Sequence, residues 1–241
     1  MAKRKKTVKG RSRFDGFVCR RSVLTVLAFT VALYAAFVGR YFVWPQVDSL
    51  EHENPSITAF MEYRKTEWAR SGKKVVTRWR WRPLHEISPY LWKAVTVAED
   101  SNFWDHDGFD WDGISNAINT NLAKGRFSAG GSTITQQLAK NLYLSPVKSL
   151  TRKAQEAILA WRLERGLSKE RILELYLNVV EWGEGIYGAE AAARYHFGVS
   201  AANLAPRQAA ILAAMLPAPL KRKPHNRHVQ ILSEVILRRM R

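Results

Sequence analysis

Two glutamates, Glu99 and Glu156, are the residues best suited to chemistry in this sequence. Glu99 stands at the end of a helix-like run, beside Asp100 and just before Phe103 and Trp104. Burial beside aromatic rings raises the pKa of a carboxyl group, so that a glutamate can take or give a proton near neutral pH. The pattern fits proton transfer at an anomeric carbon. A structural hydrogen bond at a helix end explains Glu99 equally well.

The second glutamate follows a series of cations spaced at about one helical turn. Arg152 and Glu156 are four residues apart, so they share one face of any helix that contains both. An ordinary surface ion pair would have the same spacing. The whole series, however, suits a phosphate-bearing leaving group, because lysine and arginine stabilise its negative charge in the transition state. The cations of the series are Lys140, Lys148, Arg152 and Lys153, and Ser145 lies among them.

Helix signals place both glutamates on a mainly helical scaffold. Ser88 followed by Pro89 predicts the start of a helix that ends at Glu99. Ser149 predicts the start of another helix, which carries Glu156. Further helices are predicted at residues 113–125, 132–142, 168–178, 189–195, 206–215 and 229–240. Since residues 74–82 form the one convincing strand pattern, we expect a mainly α domain with at least seven helices.

The N-terminus combines a basic tail with an apolar segment. Residues 1–22 carry nine Lys or Arg against one Asp, so they supply +8 of the net charge of +17. Residues 23–43 contain an apolar run long enough for a transmembrane helix, and the excess of positive charge places the tail in the cytoplasm. A cleaved signal peptide shares this pattern, but no small-x-small cleavage site follows the run. We predict a single transmembrane helix.

The rest of the chain has a moderate positive charge and no recognisable metal motif. This excess of positive charge suits an anionic substrate or anionic lipid heads, and no nucleic-acid partner is expected. Residues 44–74 are polar and predict a linker to a domain at residues 75–241. The one cysteine, Cys19, excludes a disulfide framework and a cysteine-based zinc cluster. No HExxH motif occurs, and the aspartates between 105 and 112 do not match EF-hand spacing, so no metal ligands are assigned.

Five stretches of the chain carry a resemblance to a known family. They are EDSNFWDHDG at 99–108, GSTITQQLAKN at 131–141, RKAQEAILAWRLE at 152–164, KERILELYLN at 169–178 and RQAAILAAMLP at 207–217. In this order they resemble the motifs of the peptidoglycan glycosyltransferases, glycosyltransferase family 51. The resemblance covers about residues 75 to 220, and five ordered motifs form a far more specific signal than any one of them.

The resemblance implies a lysozyme-like, mainly α glycosyltransferase domain behind a single N-terminal transmembrane helix. Such enzymes polymerise lipid II at the outer face of the bacterial cytoplasmic membrane and release undecaprenyl pyrophosphate. Glu99 matches the general base, which would deprotonate the 4-hydroxyl of the acceptor GlcNAc for an inverting attack on C1 of the donor MurNAc. Glu156 matches the second glutamate, a catalytic residue held near the donor phosphate, where it would assist departure of the leaving group.

Other matched positions would bind substrate or support the fold. Those matched to the pyrophosphate are Lys140, Lys148 and Arg152, and those matched to substrate orientation are Ser145, Gln136 and Gln137. His106, Asn178 and Arg207 match architectural positions. The resemblance also allows Mg²⁺ or Mn²⁺ at the pyrophosphate. The partners it implies are lipid II, the growing glycan strand, the membrane and other cell-wall synthesis proteins.

Two other functions stay open at this stage. A lysozyme-like enzyme would use Glu99 as a general acid to cleave existing glycan, although the cations before Glu156 count against it. A membrane-anchored, non-catalytic cell-wall scaffold would keep only the fold. Penicillin-binding activity is not expected, because Ser145-Pro-Val-Lys148 matches Ser-x-x-Lys by chance and the other transpeptidase motifs are missing.

Overall fold

The computed structural model describes residues 13–125 and 130–241, with side chains described from Ser22 onward. Most of the predicted basic tail, including the side chain of Cys19, therefore lies outside the described part. The chain divides into two compact units, Met1–Arg40 and Tyr41–Arg241.

In the described part of the first unit, helix α1 spans Arg13–Gly39. Its described side chains are mostly exposed and apolar. The segment Ser22–Phe42 has a mean hydropathy of 2.1, so its length and composition allow it to cross a membrane. This apolar helix agrees with the predicted transmembrane segment at residues 23–43.

The second unit is mainly helical, as predicted. Its helices are α2 Ala59–Arg70, α3 Pro89–Glu99, α4 Trp111–Lys124, α5 Ile134–Tyr143, α6 Leu150–Gly166, α7 Lys169–Val179, α8 Ala189–Phe197, α9 Pro206–Met215 and α10 Arg227–Arg239. Helix α5 packs against α6 and α7, while α9 packs against α3 and α10. One continuous core joins them through residues such as Leu91, Leu138, Leu159, Ile172 and Leu212.

Side-chain caps fix the starts of the helices that carry the candidate site. The hydroxyl of Ser149 accepts a hydrogen bond from the backbone N–H of Arg152 at the start of α6. Thr133 and Gln136 bond reciprocally at the start of α5, an arrangement known as a capping box. These caps satisfy backbone donors that a helix start would otherwise leave unpaired.

Residues 44–74, predicted as a linker, contribute to the folded core. Val47 and Leu50 are buried in the main core, and Met61 and Trp68, both on helix α2, form a second buried cluster with Tyr187. Because these apolar residues are widely spaced among polar ones, the local pattern resembles that of a linker. Their burial places the segment in the compact unit that begins at Tyr41.

The structure contains a small sheet, and the strand pattern predicted at residues 74–82 covers its first strand only. Strands β1 (Arg78–Trp79), β2 (Glu181–Gly183) and β3 (Ile186–Tyr187) pair in the order β1-β3-β2, with β1 parallel and β2 antiparallel to β3. Strands β2 and β3 therefore form a hairpin. Gly185 has φ +71°, and a Cβ there would lie 2.7 Å from the carbonyl oxygen of Val76, so the close approach of β1 requires glycine.

Candidate active site

Glu99 is the last residue of α3 and borders an open cavity of about 160 Å³. The cavity is also lined by Asp110, Ser132 and Arg239. One carboxylate oxygen of Glu99, Oε2, accepts a hydrogen bond of 2.9 Å from Nε2 of Gln137 on α5. The side chain is half-buried, which leaves it a route to solvent and to a bound molecule.

The surroundings of Glu99 raise its pKa above the ordinary value. Burial is the main cause, since it penalises the charged form, and the neighbouring Asp100 acts in the same direction. The hydrogen bond from Gln137 opposes this effect, as do the positive charges of Lys140 and Arg222. A carboxylate with a raised pKa is a stronger base than an ordinary glutamate, which suits proton abstraction near neutral pH.

Asp100 supports the loop that follows Glu99. Its Oδ1 lies 2.9 Å from Nε2 of His106, and its Oδ2 accepts a hydrogen bond of 2.9 Å from the backbone N–H of Ile134. The N–H of Gly108 donates to Nδ1 of His106, so the proton of the neutral imidazole is on Nε2 and points at Asp100. These contacts agree with the architectural role expected for His106.

Glu156 lies buried on α6 between two cations. Its Oε2 is 2.5 Å from Nη1 of Arg152, and its Oε1 is 2.5 Å from Nζ of Lys153. The ammonium of Lys153 also donates to Oγ of Ser132, 3.0 Å away. Ser132 borders the cavity beside Glu99, so this contact connects the cation cluster with the surroundings of the first glutamate.

Lys140 is within electrostatic range of both glutamates. It is half-buried on α5, and burial lowers its pKa. The charges of Glu156 and Glu99 act against that lowering, whereas Arg152 and Lys153 add to it. The contact from Lys153 to Ser132 provides the geometric link between the surroundings of the two carboxylates.

Two other predicted substrate residues, Ser145 and Lys148, lie in the connection between α5 and α6, and both are exposed. Among the side chains that the structure describes, neither residue forms a hydrogen bond with Glu99 or Glu156. Nε of Arg152 donates to the carbonyl of Val147, 2.8 Å away, which holds this connection beside the cation cluster. A substrate-binding role for Ser145 and Lys148 stays a prediction.

The two predicted glutamines have different surroundings. Gln136 is buried, and its Oε1 accepts a hydrogen bond from the backbone N–H of Thr133 at 3.2 Å, so it caps α5. Gln137 bonds to Glu99 on one side and accepts a hydrogen bond from Tyr176 on the other. Their predicted contact with substrate is untested, and the observed bonds give each a role within the protein.

Two residues near Glu99 were missed by the sequence analysis. Arg222 acts on Glu99 through its charge, but it follows the last motif, in a loop without a pattern. Tyr176 lies inside the fourth motif, where helical spacing made it resemble an ordinary core residue. No sequence signal identified Arg222, whereas the polar hydroxyl on a buried helix face was a usable signal for Tyr176.

The residues present do not form a metal site of their own. In the described part of the chain, no three His, Cys, Asp or Glu side chains are grouped so that they could hold a metal ion. Both oxygens of Glu156 bond to cations instead. This donor set does not fit a resident divalent ion, which prefers several oxygen ligands.

The fold and the site together define a mainly helical enzyme domain with a half-buried carboxylate beside a cation cluster. A family model described as Transglycosylase matches residues 67–241. The chain is 52% identical over 197 residues to a biosynthetic peptidoglycan transglycosylase of Aromatoleum aromaticum, covering 82% of this chain and 84% of that protein. The chain therefore belongs to the transglycosylase family, as its motifs indicated.

Other relatives agree with this assignment. A biosynthetic peptidoglycan transglycosylase of Alcanivorax borkumensis is 52% identical over 200 residues, which are 83% of this chain and 78% of that protein. One from a Janthinobacterium species is 45% identical over 222 residues, covering 91% and 96% of the two chains. The similarity to these relatives thus extends over nearly the whole chain.

Proposed function

We propose that this protein is a peptidoglycan glycosyltransferase that polymerises lipid II into glycan strands and releases undecaprenyl pyrophosphate. The observation that carries the proposal is the position of Lys153, which bonds both to Glu156 and to Ser132 in the lining of the cavity beside Glu99. A base for an incoming hydroxyl and cations for a departing pyrophosphate are then available in one site. A hydrolase acting on neutral glycan would not need the cation cluster.

Glu99 acts as the general base. It takes the proton of the acceptor 4-hydroxyl while that oxygen forms a bond to C1 of the donor MurNAc. The bond from C1 to the pyrophosphate oxygen breaks, and its electron pair leaves with undecaprenyl pyrophosphate. The configuration at C1 inverts because attack and departure occur on opposite faces.

Four cations stabilise the charge that develops on the leaving group, and they are Lys140, Lys148, Arg152 and Lys153. Lys140 is half-buried, where a charge interacts more strongly than it does in water. Glu156 bonds to Arg152 and Lys153, and so holds both cations in place for the pyrophosphate. Lys148 reaches the same phosphates from the exposed connection before α6.

The apolar helix α1 supports a location in the bacterial cytoplasmic membrane. In this arrangement the chain crosses the membrane once, the basic N-terminus stays in the cytoplasm, and the catalytic unit faces the outer side. This position brings the site to a lipid-linked substrate. Other cell-wall synthesis proteins are proposed partners.

We also propose that Mg²⁺ or Mn²⁺ can bind at the pyrophosphate, although neither the proton transfer to Glu99 nor the departure of the pyrophosphate requires it. Since the side chains described by the structure include no metal-ligand set, the substrate phosphates would have to supply most of the ligands. Assays with and without a chelator would test this directly.

The proposed function is tested by giving purified lipid II to the detergent-solubilised full chain and to a Glu99→Gln variant. Wild type should produce glycan polymer, and removal of the base should slow polymerisation by about 10² to 10⁴-fold. Glu62→Gln, an exposed change on α2, is the matched control and should behave as wild type. Release of fragments from preformed glycan would favour the lysozyme-like alternative, and no turnover by wild type would favour the scaffold.

A further inference from the structure

We propose that Tyr176 is a positioning residue for proton transfer, which fixes the orientation of the Gln137 amide and so decides which oxygen of Glu99 receives the proton. The inference rests on the proposed function of Glu99 as a base. Tyr176 would act through Gln137 alone, without contact to substrate.

Three side chains form a continuous hydrogen-bonded chain from α7 through α5 to α3. The hydroxyl of Tyr176 donates to Oε1 of Gln137 over 2.9 Å. Nε2 of Gln137 then donates to Oε2 of Glu99, also over 2.9 Å. Each contact has the length of a well-formed hydrogen bond.

The tyrosine hydroxyl and the carboxylate of Glu99 together determine how the amide is turned, because the hydroxyl can donate to its oxygen and the carboxylate can only accept from its nitrogen. An amide has an oxygen that only accepts and a nitrogen that only donates, on opposite sides of the group. With Tyr176 donating to the oxygen, the nitrogen faces Glu99. The reversed amide would place its oxygen against the carboxylate of Glu99, where two acceptors repel each other.

Tyr176 is suited to act as a permanent donor. Its side chain is completely buried, and burial raises its pKa well above the ordinary value, so the hydroxyl keeps its proton across the working pH range. A fully buried residue at this position has no exposed atom to offer a substrate. Its influence on catalysis therefore has to pass through Gln137.

The fixed amide has two consequences for Glu99. It occupies Oε2, and among the described residues no other donor bonds to the carboxylate, so Oε1 is the oxygen left to receive the proton. It also favours the charged form of Glu99 against the effect of burial. A turned or mobile amide would lose both effects.

The test is a Tyr176→Phe variant of the full chain in detergent, assayed for lipid II polymerisation over a range of pH. We expect kcat to fall roughly threefold to tenfold, the value of one hydrogen bond, with KM for lipid II unchanged. The acid limb of the kcat profile should move to higher pH, because Glu99 loses support for its charged form. Tyr143→Phe removes the hydroxyl of a half-buried tyrosine on α5 and should leave kcat and the pH profile unchanged.

The Gln137→Ala variant provides a second measurement, which does not depend on whether the Tyr176→Phe variant folds. It should move the acid limb in the same direction, and adding Tyr176→Phe to it should cause no further loss of kcat. Full additivity of the two changes, or an acid limb that stays in place in either single variant, would overturn the inference. Absence of polymer from wild type would instead overturn the proposed function.

Discussion

Nη1 of Arg152 lies 2.5 Å from Oε2 of Glu156, one turn further along α6. Lys153 occupies the other oxygen, so the buried carboxylate of Glu156 is neutralised by two cations. A glutamate held in this way is poorly placed to donate a proton to a leaving group. Its contacts favour a role in holding the two cations at the distance and orientation that a pyrophosphate needs.

Replacing Glu156 with alanine should destabilise the protein and slow polymerisation. The change leaves Arg152, whose side chain is 15% exposed, without its partner, and breaking a buried pair of this kind costs about 3 kcal/mol. Urea denaturation of the detergent-solubilised protein measures the loss. Glu170→Ala, an exposed change on α7, should alter the free energy of unfolding by less than about 0.5 kcal/mol. Equal stability of both variants would contradict the burial argument.

Lys148→Ala and Arg152→Ala should both reduce turnover, on the order of 3 kcal/mol in activation free energy, if both stabilise the pyrophosphate. Their effects on stability should differ. Arg152 bonds to Glu156 and to the carbonyl of Val147, whereas Lys148 is exposed, so only Arg152→Ala should lower the unfolding midpoint. Lys65→Ala on α2 is the exposed control for charge removal. Near-normal turnover in both variants would show that the pyrophosphate binds elsewhere.

Glu99→Gln should stabilise the folded protein at neutral and alkaline pH. Burial raises the pKa of Glu99 above 4.5, so the folded state binds this proton more tightly than the unfolded state does. The resulting stability is complete below the unfolded pKa and is lost as pH rises through the folded pKa. Glutamine stays neutral at every pH and avoids that loss. Thermal unfolding of both proteins should give a difference at pH 8 that disappears near pH 4, and a larger difference at pH 4 would contradict this assignment.

Asp100→Asn should weaken the junction between α3 and α5. Both carboxylate oxygens of Asp100 accept from Nε2 of His106, and Oδ2 also accepts from the backbone N–H of Ile134. An amide would replace one oxygen with an NH2 group, which would face a hydrogen-bond donor. The expected loss in unfolding free energy is about 2 kcal/mol, measured by urea denaturation. Asp105→Asn, in the exposed part of the same loop, is the control and should have no comparable effect.

The sequence was most informative where local chemistry decides the structure. Ser88-Pro89 and Ser149 correctly indicated the starts of α3 and α6, because a cap or a proline acts on its own helix. The placement of Glu99 at the end of α3 followed from the same signals. Strand β1 lies inside the strand pattern predicted at residues 74–82, whereas β2 and β3 gave no such signal. All three residues of β2 are buried, so the strand shows no alternation of apolar and polar residues. The charge of its Glu181 is paired with Arg64, 117 residues earlier, which local sequence could not indicate.

The wider surroundings of Glu99 could not be derived from local patterns. Its bond to Gln137 joins residues 38 apart, and that from Tyr176 to Gln137 joins residues 39 apart. Side chains so distant in sequence meet only through the packing of α3, α5 and α7. The resemblance supplied the identities of the matched residues, while the hydrogen-bonded chain between them became visible in the folded structure.

Asn178 connects the end of α7 to the segment before α3. Its side chain accepts a hydrogen bond from the N–H of Arg82 and donates one to the carbonyl of the same residue, 96 positions earlier. The backbone carbonyl of Asn178 also accepts a bond from the indole N–H of Trp79. Because closing long loops precedes the formation of such contacts, this helical protein should fold more slowly than a bundle whose helices contact only their sequence neighbours. Individual helices would then form early, and the catalytic geometry would be among the last features of the molecule to appear.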